Sequence, residues 1–206
     1  MQFNVIAISR TLGAGGESLG EALADALGFR YVDSEIIDRA AALAKATPAE
    51  VAQVEARKGL MARILDNLAR TGGAGATGMV EPVVLDLNTP GYEQLIVDVI
   101  RETAEMGMAV IVAHGASIPL AGTPGVLRVM VTASANTRAA RTAQAEGVAA
   151  DRARKLVADS DAARADYFRR FYHLERELPT NYDLVVNTDA MTVEQAQAAV
   201  LAVVQA

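Results

Sequence analysis

The first 33 residues contain the pattern that restricts the fold more than any other part of the chain. A short apolar run, Phe3–Ile8, is typical of a strand buried on both faces. A glycine-rich turn at residues 9–16 follows, and Glu17–Leu27 has apolar residues at helical spacing. Gly28 suits the end of this helix, and Phe29–Val32 is typical of a second short strand. The order strand, loop, helix, strand predicts one βαβ unit.

The rest of the chain continues this alternation. Three further apolar runs predict strands: Ala109–Ala113, Val126–Val131 and Leu184–Val186. Helical spacing predicts four more helices: Tyr92–Met106, Ser134–Glu146, Ala149–Tyr172 and Thr192–Val204. Residues 35–70 predict helix in two or three pieces, and residues 71–78 predict a flexible glycine-rich loop. The whole pattern predicts an α/β fold in which a five-stranded parallel sheet carries helices on both faces.

Composition excludes several classes of protein and site. The 206 residues fit one domain with a large core, and 51% hydrophobic against 21% charged residues is a globular balance. There is no Cys, which excludes disulfides and thiolate metal sites, and two His are too few for a His-rich metal centre. A net charge of -6 argues against a general binder of nucleic acid or anionic membranes.

The sequence also gives an expectation about location. No stretch reaches the roughly 20 apolar residues that span a bilayer. The first residues, MQFNVIAISR, lack the basic region and cleavage site of a signal peptide. We therefore expect a cytoplasmic protein.

The glycine-rich loop is the first candidate for chemistry. Phosphate binding requires backbone N–H groups directed at the anion, and Gly13, Gly15 and Gly16 precede a helix whose dipole would add to that attraction. The usual P-loop pattern is G-x-x-x-x-G-K-[ST]. The matching window, R-T-L-G-A-G-G-E, has Arg10 at the first glycine, Gly16 at the lysine and Glu17 at the hydroxyl position. From this pattern alone, a phosphate loop and a plain turn both remain open.

Five segments of the chain resemble a known family. The run from I-S-R-T-L-G-A-G-G to D-R-A-A-A-L-A, residues 8–44, is similar to the start of a bacterial cytidylate kinase. The sequence most resembles the cytidylate kinase-like family, whose loop already lacks the lysine. Further similarity lies in VIVAHGASIPL at 110–120, VLRVMVTAS at 126–134, ARADYFRRFY at 163–172 and NYDLVVNT at 181–188. The resemblance implies a three-layer P-loop NTPase-type fold for residues 1–206.

On the donor side, the resemblance implies that six loop residues wrap the β-phosphate of ATP: Gly13, Ala14, Gly15, Gly16, Glu17 and Ser18. Ser18 stands where the family places the hydroxyl that reaches Mg²⁺. Arg10 has no counterpart in the ordinary loop, and its guanidinium would supply the missing positive charge. The alternative is a surface arginine on a turn.

On the acceptor side, the resemblance implies that Asp33, Ser34 and Arg39 meet the second nucleotide, with Arg39 on its phosphate. Asp33 is equally well explained as the N-cap of the helix near Glu35. His114 replaces the family's usual arginine and would hold a phosphate less firmly, unless it is a structural histidine. Residues 46–90 match the family least. With residues from about 35 onward they would form an acceptor cap, at about 35–90.

Arginines in the second half of the chain resemble the lid of these kinases, placed at about 147–172. The resemblance assigns them to the phosphates in transfer: Arg138, Arg141, Arg164, Arg169 and Arg170. Arg138 would contact the donor nucleotide, and Arg164 and Arg169, with Arg10, would be catalytic. Asp166 is four residues before Arg170, so an i,i+4 ion pair is an alternative explanation.

The implied function is a nucleotide kinase, that is, an ATP- and Mg²⁺-dependent phosphotransferase that acts on a nucleoside monophosphate such as CMP or dCMP. Two alternatives stay open. The absent lysine and His114 would suit a nucleotide-binding sensor with weak or no catalysis, and the poor match of residues 46–90 would suit another small metabolite as acceptor. Nucleotide substrates are the expected partners, nucleic acid and membranes are not, and the chain would act as a monomer or homodimer.

Overall fold

The computed structural model describes residues 2–33, 35–44, 92–112 and 115–205. In these residues, five strands form one parallel sheet with the order β2-β3-β1-β4-β5. The strands are β1 Val5–Arg10, β2 Arg30–Val32, β3 Ala109–Ile111, β4 Val126–Thr132 and β5 Leu184–Asn187. The predicted five-stranded parallel sheet is confirmed, with strand bounds that differ from the predicted ones by at most two residues at either end.

Six α-helices lie in the described part of the chain. They are α1 Gly16–Leu27, α2 Glu35–Ala44, α3 Tyr92–Met106, α4 Ala135–Glu146, α5 Ala150–Tyr172 and α6 Val193–Gln205. Ser134 caps α4 because its side chain accepts a hydrogen bond from the Thr137 N–H. The predicted helical pieces after residue 44 and the predicted loop at 71–78 lie outside the described residues.

The sheet is covered on both faces, as a parallel sheet requires. β1 lies in the centre, and its residues Val5–Ile8 are at most 1% exposed. Successive side chains of a strand alternate between the two faces. Val5 and Ala7 pack in a cluster that includes residues of α2, α3 and α5, whereas Ile6 and Ile8 pack with residues of α1 and α6. The three-layer α/β fold that the sequence predicted is therefore confirmed.

The sheet topology fixes where a ligand would bind. Because all five strands are parallel, the segments that follow them meet at one edge of the sheet. From β1 the chain passes to β2 on one side of the sheet, and from β4 it passes to β5 on the other. A crevice outside the carboxyl end of the central strand is the usual ligand site of such a sheet. The glycine-rich loop occupies that place.

Candidate functional site

The loop between β1 and α1 has the backbone that an anion site needs. Gly13 and Gly15 have positive φ angles of 77° and 81°, in the left-handed region that favours glycine. Gly15 is the N-cap residue of α1, and in the described residues no side chain caps that helix end. The first N–H groups of α1 are thus left without a side-chain acceptor. They can donate to an anion, and the helix dipole adds to the attraction.

Contacts from α4 hold the loop on one side. A Cβ atom added to Gly13 would lie 2.6 Å from the carbonyl oxygen of Arg138 and 2.8 Å from Oγ1 of Thr142. Such distances leave no room for any side chain, so the loop backbone packs directly on α4. Gly13 is therefore required by packing as well as by its φ angle.

A second contact comes from the segment after β5. The Thr188 hydroxyl donates to the carbonyl oxygen of Ala14 at 2.8 Å and accepts from Nη1 of Arg141 at 2.9 Å. Nη2 of Arg141 also donates to the Thr188 carbonyl oxygen at 2.6 Å. Arg141 and Thr188 thus position the loop, and a role of Arg141 with the phosphates stays a prediction. The sequence gives no local signal for this link, since 174 residues separate Thr188 from Ala14.

Arg10 lies beside the loop, but its charge is already paired. Its Nε is 2.6 Å from Oε1 of Glu17, and the two side chains are 31% and 45% exposed. The distance is that of an ion pair. The Nε–H group does not point at Oε1, so this contact is not a hydrogen bond. Nε has no hydrogen-bond acceptor among the described residues. A phosphate that binds to Arg10 would therefore compete with the Glu17 carboxylate.

A cavity of about 310 Å³ opens next to this ion pair. Its walls come from the loop, from the turn after β3 and from α5: Arg10, Thr11, Leu12, Glu17, Gly115, Ser160, Ala163, Arg164, Tyr167 and Phe168. Gly115 has a φ of 60°, and a Cβ there would lie 2.9 Å from Cε2 of Tyr172. The missing side chain lets the aromatic end of α5 approach the sheet edge. The cavity therefore has a charged wall and an aromatic wall.

Arg164 joins α5 to the loop. Its Nε and Nη2 donate to the two carboxylate oxygens of Glu177 at 2.7 and 2.6 Å, and both side chains are 19% exposed. Its Nη1 donates to the carbonyl oxygen of Arg10 at 3.0 Å. Its guanidinium also lies 4.5 Å from the centroid of the Phe168 ring. This arginine fixes the end of β1, and its catalytic role stays a prediction.

The other predicted lid arginines also have carboxylate partners. Buried Arg138 donates from Nη1 and Nη2 to Asp161 at 2.8 and 2.7 Å, which ties α4 to α5. Arg169 and Arg170 both donate to the buried carboxylate of Asp166, at 2.6 and 2.9 Å. The structure therefore contains the i,i+4 pair that the sequence offered as an alternative, together with an i,i+3 pair. The roles of Arg138 with the donor and Arg169 in transfer stay predictions.

Two of the predicted acceptor residues, Asp33 and Arg39, lie in the described part of the chain. Asp33 directly follows β2, at the same sheet edge as the loop. The Arg39 guanidinium instead donates to Thr103 and Glu102 of α3 at 2.8 and 2.9 Å. These residues lie near the end of α3, and the role of Arg39 with an acceptor phosphate stays a prediction. His114 and Ser34 lie outside the described residues.

Carboxylates gather around the end of β2. Burial raises the pKa of Tyr31, and the negative charges of Asp33, Glu21 and Glu17 raise it further. Three acidic side chains are therefore close enough to Tyr31 to act on its hydroxyl. In the described residues, no group of three or more His, Cys, Asp or Glu is placed to hold a metal ion by itself.

With this geometry in place, similarity to known proteins becomes informative. The sequence profile of the cytidylate kinase-like family matches residues 5–190. The chain belongs to the cytidylate kinase-like family. No protein of curated function matches it. The predicted family is therefore confirmed over most of the chain.

Solved structures support the fold of this family member. It resembles an uncharacterized protein from Eubacterium ventriosum at 17% identity, with 98% of each chain covered and a TM-score of 0.67. It also resembles shikimate kinase from Bacteroides thetaiotaomicron, at 16% identity, 98% of each chain and a TM-score of 0.53. Shikimate kinase from Acinetobacter baumannii, in complex with shikimate, matches at 15% identity over 98% of this chain and 93% of that chain, with a TM-score of 0.53.

Among the described helices, none is long and apolar enough to cross a membrane.

Proposed function

We propose that this cytidylate kinase-like protein transfers the γ-phosphoryl group of ATP to a nucleoside monophosphate, with CMP or dCMP as the acceptor. Membership of the family supports a kinase that acts on a nucleotide or another small molecule. The observation that carries the proposal is the glycine-rich loop. It ends a central parallel strand, leaves the start of α1 without a side-chain cap, and opens into the 310 Å³ cavity.

The donor phosphates would lie on the loop backbone from Gly13 to Ser18. The free N–H groups at the start of α1 would donate to the β-phosphate, and the helix dipole would stabilise its charge. Arg10 would supply the positive charge that a lysine supplies in the usual pattern. To do so, its guanidinium would exchange the Glu17 carboxylate for a phosphate oxygen. The loop therefore binds the donor chiefly through main-chain groups.

The residues at the start of α1 fit a magnesium ion held through phosphates. Glu17 offers a carboxylate, and the exposed Ser18 offers a hydroxyl one residue further on. Bound Mg²⁺ would neutralise charge that develops on the transferred group. Glu17 would orient the ion beside the phosphates, while Ser18 would contact it directly or through water. Released from Glu17, Arg10 would then be free to contact phosphate.

The acceptor would occupy the cavity between the loop and α5. The rings of Tyr167 and Phe168 form an apolar wall against which a base can lie, and Arg164 borders the same space. The predicted contact of Arg39 with the acceptor phosphate requires its guanidinium to leave Thr103 and Glu102. Asp33 follows β2 at the sheet edge of the loop, so its proposed contact with the acceptor would need no such rearrangement.

The test is product formation from ATP by the pure protein, with and without Mg²⁺, over a panel of CMP, dCMP, UMP and shikimate. We expect Mg²⁺-dependent phosphorylation of CMP or dCMP, and loss of roughly a thousandfold in Arg10→Ala. Arg101→Ala, on the exposed face of α3, is the matched surface control and should keep full activity. Phosphorylation of shikimate alone would replace the nucleotide acceptor by another metabolite.

A second candidate function is a nucleotide-binding sensor that transfers no phosphate. It is favoured by the pairing of Arg10 with Glu17 and of Arg164 with Glu177, which leaves little uncompensated positive charge at the cavity. Calorimetry with ATP separates the two candidates. If ATP binds while no acceptor of the panel is consumed above the Arg10→Ala background, the sensor replaces the kinase.

A further inference from the structure

Two of the departures from the usual P-loop pattern are in direct contact. Arg10 stands at the first glycine of G-x-x-x-x-G-K-[ST], and Gly16 stands at the lysine. A Cβ added to Gly16 would lie 2.5 Å from Cβ of Arg10, and 3.1 and 3.2 Å from its Cδ and Cγ. The Arg10 side chain therefore occupies the space through which any side chain at position 16 would leave the backbone.

The conflict lies between Cβ atoms, so no change of rotamer can relieve it. The Cβ of residue 10 is fixed by the backbone of β1, which pairs with β4 at Val131. The backbone of Gly16 is fixed by the first turn of α1, and the loop between them packs on α4 through Gly13. One of the two positions must therefore be glycine. The usual pattern has its glycine at the first position, and this chain has it at the second.

The contact also explains how the loop keeps a cation. With Gly16 in place, the stem of Arg10 lies over the start of α1, and its Nε reaches Oε1 of Glu17 at 2.6 Å. A side chain that leaves the strand end thus brings its charge to the helix end. We propose that Arg10 and Gly16 are an exchanged pair, in which the phosphate-binding cation comes from residue 10 instead of residue 16. This deepens the proposed function and rests on it, since it assigns the cation that holds the donor phosphates.

Stability variants test the exclusion without any ligand. In Gly16→Ala, the added Cβ meets the Cβ of Arg10, and we expect Tm to fall by roughly 5 °C. Arg10→Ala keeps a Cβ, so the double variant Arg10→Ala/Gly16→Ala should remain as destabilised as its two changes predict. Arg10→Gly removes that atom, so Arg10→Gly/Gly16→Ala should recover most of the loss caused by the alanine. Equal behaviour of the two double variants in thermal unfolding would overturn the exclusion.

Binding variants test the charge. Inorganic tripolyphosphate is the probe, measured by calorimetry without Mg²⁺ at low salt. We expect Arg10→Gly to bind it at least tenfold more weakly than the natural chain. Arg10→Gly/Gly16→Lys converts the window to G-T-L-G-A-G-K-E and should recover at least half of that loss on a logarithmic scale.

The inference is overturned if Arg10→Gly binds tripolyphosphate as the natural chain does, or if the double variant binds no better than Arg10→Gly. It is also overturned if the natural chain does not bind the probe. None of these results decides the kinase proposal, because product formation from ATP and a monophosphate is a separate measurement.

Discussion

The loop and helix α5 face the same cavity, but they are held in place by different forces. The loop is shaped by its backbone, through positive φ angles at Gly13 and Gly15 and close packing on α4. The cavity side of α5 is shaped by charged side chains and by aromatic rings. Of the arginines on α5, Arg164, Arg169 and Arg170 lie in ion pairs with carboxylates, and Arg164 borders the cavity. Steric fit of the backbone therefore contributes most to the loop, and side-chain contacts contribute most to α5.

This difference indicates how the two regions would divide the work of a kinase. A backbone anion site loses little entropy when it binds phosphate, because its donors are already in place. Arginines paired with carboxylates must first exchange partners, and that costs part of the energy gained from the phosphate. We therefore expect substitutions in the loop to lower both stability and phosphate binding. Substitutions of the arginines on α5 should show which of them stabilise the fold and which act in phosphoryl transfer.

The largest effect is expected at Gly13. In Gly13→Ala, the added Cβ would lie 2.6 Å from the Arg138 carbonyl oxygen, and φ is 77°. We expect a loss of at least about 3 kcal/mol in the free energy of unfolding, since backbone contact and left-handed strain act together. Gly15→Ala is the matched control. Its φ is 81°, but the nearest atom is 4.0 Å from the new Cβ, so strain alone should cost about 1–2 kcal/mol.

Urea unfolding of the two variants measures this difference. Equal losses would mean that packing on α4 does not shape the loop. That result would contradict the statement that the loop is held by steric fit. Gly13→Ala should also lose ATP binding in calorimetry.

A smaller effect is expected on α5, where Arg164 and Arg169 differ in burial. The Glu177 side chain is 19% exposed, and Arg164→Ala removes the arginine from its carboxylate and from the Arg10 carbonyl oxygen. We expect a loss of about 2 kcal/mol in the free energy of unfolding, less than for a fully buried pair because both side chains are partly exposed. Arg169 is 54% exposed, so Arg169→Ala should cost less than about 1 kcal/mol.

Steady-state kinetics then tests the predicted catalytic roles. If Arg169 meets charge that develops during transfer, Arg169→Ala should lower kcat more than it raises KM. A change in KM alone would remove Arg169 from the transfer step. Arg164→Lys is the second variant for Arg164. This variant keeps the positive charge but loses the bidentate ion pair with Glu177. If Arg164 positions the loop, Arg164→Lys should change ATP affinity as well as lower stability.

The sequence predicted the fold well because its signals are local. Apolar runs, helical spacing and glycine-rich turns each depend on neighbouring residues, and they placed the βαβ unit and the later elements to within two residues at either end. Gly13 and Gly15 likewise indicated the loop, since a turn before a helix favours glycine at positions of positive φ.

Apart from the Asp166–Arg170 pair, the sequence could not predict the partners of the site residues, because most of them come from distant parts of the chain. Nothing near Arg164 indicates Glu177 in the segment after α5 together with the Arg10 carbonyl oxygen 154 positions away. Arg39 matched the family by position, yet α3 supplies Glu102 as its partner. The contact between Arg10 and Gly16 could not be predicted either, since a sequence pattern is matched position by position and does not show which positions are in contact.

A similarly small effect is expected at an ion pair away from the cavity, which shows what a purely structural arginine does. Nε and Nη2 of Arg128 donate to the Asp183 carboxylate at 3.0 and 2.6 Å, and the Arg128 N–H donates at 2.9 Å. These hydrogen bonds hold the pKa of Asp183 below its ordinary value, against a smaller opposing effect of burial. A lowered pKa means that the pair stabilises the fold above the unfolded pKa of about 3.9 and that this contribution is lost as pH falls further.

Asp183→Asn should therefore cost about 1 kcal/mol at pH 7, a small value because Asp183 is 37% exposed and solvent screens the pair. The difference between the natural chain and the variant should stay constant above about pH 5 and shrink below about pH 4. Urea unfolding at several pH values measures it, with kinase activity at neutral pH unchanged. If the difference in the free energy of unfolding grew as pH fell, the pKa of Asp183 would be raised in the folded state and not lowered. A loss of activity would mean that an arginine pair outside the cavity also acts on the site. The loop and α5 would then not be the only regions that determine activity.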